Sequence, residues 1–304
     1  MGHAVNAVNA VNSRRARRAI LIGAGAWLAG CAFDADTDHA GADAPASAPF
    51  ARPPRVAWVL SSGGPRGFVH VGVIKALDEL GLVPDVIVGA SAGALVGALR
   101  AAGKAGREIE TLALELQPWT LARVAWADGG ERLSGNAIAT LVRQHTGERL
   151  LERLRIPMVC VAQRLSDGAA VGFNRGDVGL AVQAAVAIEG QFTPVRIRGQ
   201  RYADADLRMP LPVRLARALG ATRVLAVDAS AHEESAPAGT ERWRAADLRK
   251  RRLTEPDARL ADMLLHPQIG YYAGMSREYR ERLIGTGYRD TLAHAPALRA
   301  LHAS

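Results

Sequence analysis

The chain has 304 residues, 49% apolar and 22% charged, enough to bury a sizeable core in one large α/β domain or two small ones. Its net charge of +8 sits on the body from residue 51 onward, because Arg14, Arg15, Arg17 and Arg18 are offset by Asp34, Asp36, Asp38 and Asp43. A basic body suits an anionic surface such as phospholipid headgroups, or is simply solvated, while 5% aromatics with no interleaved basic cluster argues against nucleic-acid binding. Two cysteines, Cys31 and Cys160, form neither a disulfide framework nor a metal site, and Cys160 reads as a buried core thiol.

Arg14 to Arg18 make a positive n-region and Ala19–Trp27 a short apolar h-region, too short for a comfortable span and flanked as a secretory signal is. Leu28-Ala29-Gly30-Cys31 closes it and resembles a bacterial lipobox, whose cysteine is diacylated before cleavage just ahead of it. Residues 1–30 therefore read as a lipoprotein signal peptide, Cys31 as the lipidation site, and residues 31–54, rich in Ala, Asp and Pro, as a disordered tether. The folded body, 55–304, is expected in the bacterial cell envelope on a lipid anchor. Ala32, rather than aspartate, after the cysteine favours the periplasmic face of the outer membrane.

Val56–Leu60 reads as a strand, followed by the loop Gly63-Gly64-Pro65-Arg66-Gly67 and a helix over Val69–Leu80 with Val71, Ile74, Leu77 and Leu80 on one face. Val86-Ile87-Val88 is a second strand. It runs into Gly89-Ala90-Ser91-Ala92-Gly93, and a helix over Ala92–Ala102 runs out. Helices are expected at 107–117 and 134–146, separated by a segment with Trp119 and Trp126 and by Asp128-Gly129-Gly130. Ile156–Gln163 is a core strand, Ala169–Asn174 its partner, and 178–188 a helix. Val195–Arg198 and Gln200–Tyr202 form a hairpin across Gly199, then come a helix at Leu211–Leu219 and a strand at Arg223–Asp228. The charged stretch 231–256 reads as a long surface loop or mobile helix with a position suited to a lid. The tail adds helices and an edge strand. Strands alternating with helices imply a mostly parallel central sheet covered on both faces.

Two of these segments carry chemistry. A serine on a sharp strand-to-helix turn holds its hydroxyl clear of the backbone at the positive end of a helix, and small flanking residues permit the turn. Backbone N–H groups of a glycine loop can converge on a developing oxyanion. Together, Ser91 and the loop at Gly63 read as a serine acyl hydrolase.

From about Arg55 to Asp228 the residues resemble the patatin-like phospholipase family, specifically its small bacterial members. Leu60-Ser61-Ser62-Gly63-Gly64-Pro65-Arg66-Gly67 is similar to that family's oxyanion loop, with Ser62 where a third glycine is usual. Ser91 matches the family nucleophile. Tyr202-Ala203-Asp204-Ala205-Asp206-Leu207 is similar to its Asp-Gly-Gly/Ala segment, with Ala205 and Asp206 in place of the two small residues. Glu189 stands where a nearby family loop has proline. The resemblance implies a three-layer α/β/α fold and a Ser91–Asp204 dyad without histidine. It implies an oxyanion hole drawn from Gly63, Gly64, Arg66, Gly67 and Ala92, and a membrane-lipid or acyl-ester substrate, with no cofactor or metal. Arg66 is expected to orient the loop or meet a phosphate, and His70 to be a packing or capping residue. Asp206, with Glu189 as a third acid, is expected to raise the pKa of Asp204 by like-charge repulsion. A Ser–His–Asp triad drawn from His145, His232, His266, His294 or His302 is the competing arrangement. A non-catalytic envelope protein of the same fold, binding lipid or a partner, is the competing function.

Overall fold

The computed structural model describes residues 37–117, 123–127, 130–147 and 150–303; the signal segment 1–30, Cys31 and Trp119 lie outside the described residues. The chain begins with β1 (Asp38–His39) and β2 (Val56–Leu60), then a 3-10 turn over Gly64–Phe68 and α1 (Val69–Glu79). β3 (Val86–Ala90), α2 (Ala92–Ala101) and α3 (Gly106–Glu115) follow. A hairpin of β4 (Arg123–Ala127) and β5 (Gly130–Ser134) leads to α4 (Asn136–Thr146). Next come β6 (Met158–Arg164), β7 (Ala170–Phe173), α5 (Val178–Ala185), β8 (Val195–Ile197) and β9 (Gln200–Asp204). The last elements are α6 (Val213–Ala218), β10 (Arg223–Val227), α7 (Glu241–Ala258), β11 (Met263–Leu265), α8 (Arg277–Ala293) and α9 (Ala295–Ala303).

The sheet order is β1-β8-β9-β6-β3-β2-β10-β11, with β7 also paired to β6. Its centre, β6-β3-β2-β10-β11, is parallel, and β7, β9 and β8 add antiparallel pairings on one side. The central strands are nearly unbroken apolar runs, Val-Ala-Trp-Val-Leu in β2 and Val-Ile-Val-Gly-Ala in β3, because both of their faces are covered. Alternation along each strand divides the core. Trp58, Leu60, Ile87, Met158 and Leu225 pack with Ile74, Leu77, Leu99 and Val182 of the helices on one face. Val59, Val88, Val159 and Val224 pack with Leu211, Val213 and Ala216 on the other. The result is the expected three-layer α/β/α fold with a mostly parallel central sheet. α8 lies directly on α1, so closely that a β-carbon on Gly72 would stand 1.9 Å from the Ile284 carbonyl oxygen.

Three expectations are revised. The tether does not hang free over its described part: β1 pairs parallel with β8, Asp38 accepts the Gly199 N–H at 3.0 Å, and Ala44 is buried. Asn174 then brackets Ala48 from both sides, accepting its N–H at 2.8 Å and donating to its carbonyl at 2.7 Å. Small side chains let this backbone lie flat on the domain and satisfy the edge of β8. The segment before α4 is a β hairpin, where no strand was expected. The charged stretch after β10 is mostly the ordered helix α7, whose only buried residues are Thr254 and Asp257.

Candidate active site

The C-terminal ends of the parallel strands carry the site, as open α/β sheets favour. Ser91 follows β3 directly with φ 50° and ψ −121°, a conformation that strains any residue bearing a β-carbon. Its neighbours hold it there. A β-carbon on Gly93 would meet the Leu60 carbonyl oxygen at 2.2 Å, and one on Gly89 would meet the Gly93 oxygen at 2.5 Å. The turn therefore needs glycine on both sides of the serine to let α2 leave over the end of β2. The Ser91 carbonyl accepts from Ala94 and Leu95, and the first N–H of α2, that of Ala92, has no acceptor among the described residues.

Strand register brings the acid to the same level. Ala90 pairs with Val161 and Ala162 with Asp204, so Ser91 and Asp204 flank β6 at equal height. Asp204 is 5% exposed; its N–H donates to the Ala187 carbonyl at 2.9 Å and its Oδ1 accepts the Asp206 N–H at 2.9 Å. Oδ2 has no partner in hydrogen-bonding geometry. Burial raises the Asp204 carboxyl from 3.8 to about 7; hydrogen bonding by Ser91 opposes this, repulsion by Asp206 adds to it, and Lys250 opposes it. Ser91 is thus close enough to act on the acidity of Asp204 while Oδ2 stays open, the looser arrangement that unliganded sites often show.

In the glycine loop, the N–H groups of Gly63 and Gly64 likewise have no protein acceptor among the described residues. Arg66 and Gly67 serve the loop differently from the other members of the expected oxyanion hole. The Arg66 N–H closes the 3-10 turn onto the Gly63 carbonyl at 3.0 Å, and its guanidinium donates to the Tyr271 carbonyl at 2.8 Å. Arg66 orients the loop, as expected, and its N–H is already used. Gly67 provides clearance: a β-carbon there would lie 2.3 Å from that of Ala92. His70 donates from Nε2 to the Ser61 carbonyl at 2.9 Å and is fully buried, which lowers its pKa to about 4. It is a neutral brace under the loop.

None of the five triad histidines is bonded to Ser91 or Asp204 among the described residues. His232 and His266 stack on each other at 3.8 Å, His302 accepts the Trp58 indole N–H at 3.0 Å, His294 caps its own helix, and His145 borders the cavity described next. Beside the elbow lies an apolar cavity of about 330 Å³, lined by Phe68, Leu95, Leu99, Ile109 and Leu112. Glu189 is exposed and is not among the charges acting on Asp204, so the expected third acid is not in the site. Asp206 is in it, accompanied by a residue that no motif marked: the Lys250 amino group is 2.7 Å from Asp206 Oδ1. No cluster of His, Cys, Asp and Glu that could hold a metal occurs among the described residues.

Fold and turn together define an α/β protein with a serine on a tight strand-to-helix turn at the end of a central parallel strand. Residues 58–217, from β2 into α6, match the patatin-like phospholipase family model, and the chain belongs to that family. It is similar to an uncharacterized NTE family protein of Mycobacterium tuberculosis, 35% identical over 197 residues, covering 62% of this chain and 54% of that protein. It is also similar to the lysophospholipase nte1 of Emericella nidulans, 30% identical over 198 residues, 60% of this chain and 12% of that one. The chain thus spans about half the length of the mycobacterial relative. Among solved structures, VipD from Legionella pneumophila aligns over 89% of this chain and 72% of its own, with 13% identity and a TM-score of 0.47.

Proposed function

We propose that the chain is a serine lipid acyl hydrolase that uses Ser91 as nucleophile and Asp204 as its base. The observation that carries this reading is the convergence of a strained, buried serine with an open carboxylate oxygen and unsatisfied backbone donors. In this mechanism Ser91 Oγ attacks an ester carbonyl while Asp204 takes the hydroxyl proton. The N–H groups of Gly63, Gly64 and Ala92 hold the tetrahedral oxyanion. The proton passes to the departing alcohol, and a water deprotonated by Asp204 then releases the fatty acid from Ser91. A base whose pKa is about 7 is half ionised at neutral pH and takes up a proton readily, which suits this task.

The substrate is a fatty-acyl ester of a glycerophospholipid or lysophospholipid, its acyl chain taken by the apolar cavity beside Leu95, one helical turn past Ser91. The similarity to a lysophospholipase supports that class. We further propose that residues 1–30 are removed and that a lipidated Cys31 holds the enzyme in the bacterial envelope next to its substrate.

The test uses protein lacking residues 1–31, treated with a fluorophosphonate probe and assayed on lysophosphatidylcholine. Labelling and turnover of the wild type, both lost in Ser91→Ala, with turnover reduced at least about 10³-fold in Asp204→Asn, is the expected result. A folded wild type that neither labels nor turns over substrate overturns the reading in favour of a lipid- or partner-binding protein. Asp206, in place of a small residue, is the feature that would favour that outcome.

A further inference from the structure

Ser62 and Asp206 stand where the related family has small residues, and the structure joins the two. The Ser62 hydroxyl donates to Asp206 Oδ1, and the Lys250 ammonium meets the same oxygen at 2.7 Å while donating to the Ser62 carbonyl at 3.3 Å. Ser62 immediately precedes the glycine loop, and the Asp206 N–H holds Asp204 Oδ1 at 2.9 Å. One lysine from α7 therefore ties together two segments of the site that lie more than 140 residues apart in the chain. Its side chain is 16% exposed and that of Asp206 37%, so the lysine is mostly withdrawn from water while the carboxylate keeps one side open to it.

We propose that Lys250 is a positioning residue of the site: through Asp206 and Ser62 it fixes the Asp204 turn against the oxyanion loop and keeps a charge-balanced pair beside the base. This rests on the Ser91–Asp204 reading and deepens it. Burial alone would raise the Asp206 carboxyl, but Lys250 and Ser62 outweigh it and hold that group below its usual value. The groups that bear on Asp204 are Ser91 from the elbow, Asp206 from its own turn and Lys250 from α7; His70, behind the loop, is neutral. Lys250 acts on Asp204 by opposing the Asp206 repulsion, and it has no bond to Ser91 among the described residues. Without the lysine, Asp206 is left as a partly buried, uncompensated carboxylate beside the base.

The experiment compares the full chain in detergent micelles as wild type, Lys250→Met, Lys250→Arg, Asp206→Asn and Lys250→Met with Asp206→Asn. One readout is the titration midpoint of the Asp204 carboxyl ¹³C resonance, assigned by its loss in Asp204→Asn. The other is the pH dependence of kcat and KM on lysophosphatidylcholine. Lys250→Met is expected to raise the midpoint by about one pH unit and to cut kcat at pH 7 about fivefold, with KM changed less than about twofold. Lys250→Arg restores both, Asp206→Asn lowers the midpoint, and the double variant returns it near the wild-type value. An unmoved midpoint in folded Lys250→Met overturns the proposal. So does an unmoved midpoint in Asp206→Asn, which stands in should the lysine variant fail to fold. A midpoint that moves as stated in a chain without hydrolytic activity upholds the Lys250–Asp206–Asp204 coupling and overturns the hydrolase reading instead.

Discussion

Asp204 is made useful at some cost to the fold. Its carboxyl is buried, and its pKa rises from 3.8 to about 7 chiefly because water is excluded. Between those two values the folded chain binds a proton that the unfolded chain has released. The group therefore favours the fold fully below pH 4, and that contribution is lost as pH climbs through about 7. Asp204→Asn removes the titration. Unfolding at pH 8 is expected to show the variant more stable by on the order of 4 kcal/mol, with little difference at pH 4, while turnover is lost. Equal stability differences at both pH values would contradict the buried, raised carboxyl. The roles of Ser91 and Asp204 could be argued from local motifs because the residues around them are small for stated steric reasons. Lys250 could not: it lies 44 residues from Asp206 in a charged helix, and nothing in that helix signals that its one lysine turns inward while its arginines do not.

At the scale of elements, glycine sets how closely backbones can pass. α1 and α8 cross at Gly72, where an added methyl would fall 1.9 Å from a backbone carbonyl. Gly72→Ala must push the two helices apart, and since α1 follows the oxyanion loop, both stability and site geometry are affected. A loss of about 2–4 kcal/mol in chemical denaturation is expected, with fluorophosphonate labelling slowed in the variant that remains folded. The helix pattern of Val69–Leu80 was readable from its apolar spacing, but its crossing with α8 was not, because α8 is 200 residues away and carries little apolar periodicity of its own. The same holds for α7, whose charged sequence leaves loop and helix both open. It is held instead by ion pairs of Arg251 with Glu233 and of Arg214 with the buried Asp257, together with Lys250. The β4–β5 hairpin went unseen because the sequence Asp128-Gly129-Gly130 also punctuates helices.

For the whole molecule, the parallel centre of the sheet was legible because each strand is a short apolar run bounded by a helix. The start of the folded body was not. Composition places it near residue 55, whereas β1 pairs at residue 38, since alanine and proline reveal nothing of a backbone that docks through its own carbonyl and amide groups. The anchoring proposal belongs at this scale. Cells fed labelled palmitate are expected to mark the wild type and leave Cys31→Ser unmarked and released from the membrane fraction, and label persisting in Cys31→Ser would refute it.

The early pairing of β1 also fixes a distance. From Cys31 to Asp38 is seven residues, which fully stretched reach no more than about 25 Å. A body of this size has a radius of gyration of roughly 18 Å. With the proposed lipid on Cys31, so short a leash would hold the folded body against the bilayer. In that proposal the β1 edge, nearest the anchor, would face the membrane, and substrate would arrive by lateral diffusion within the leaflet.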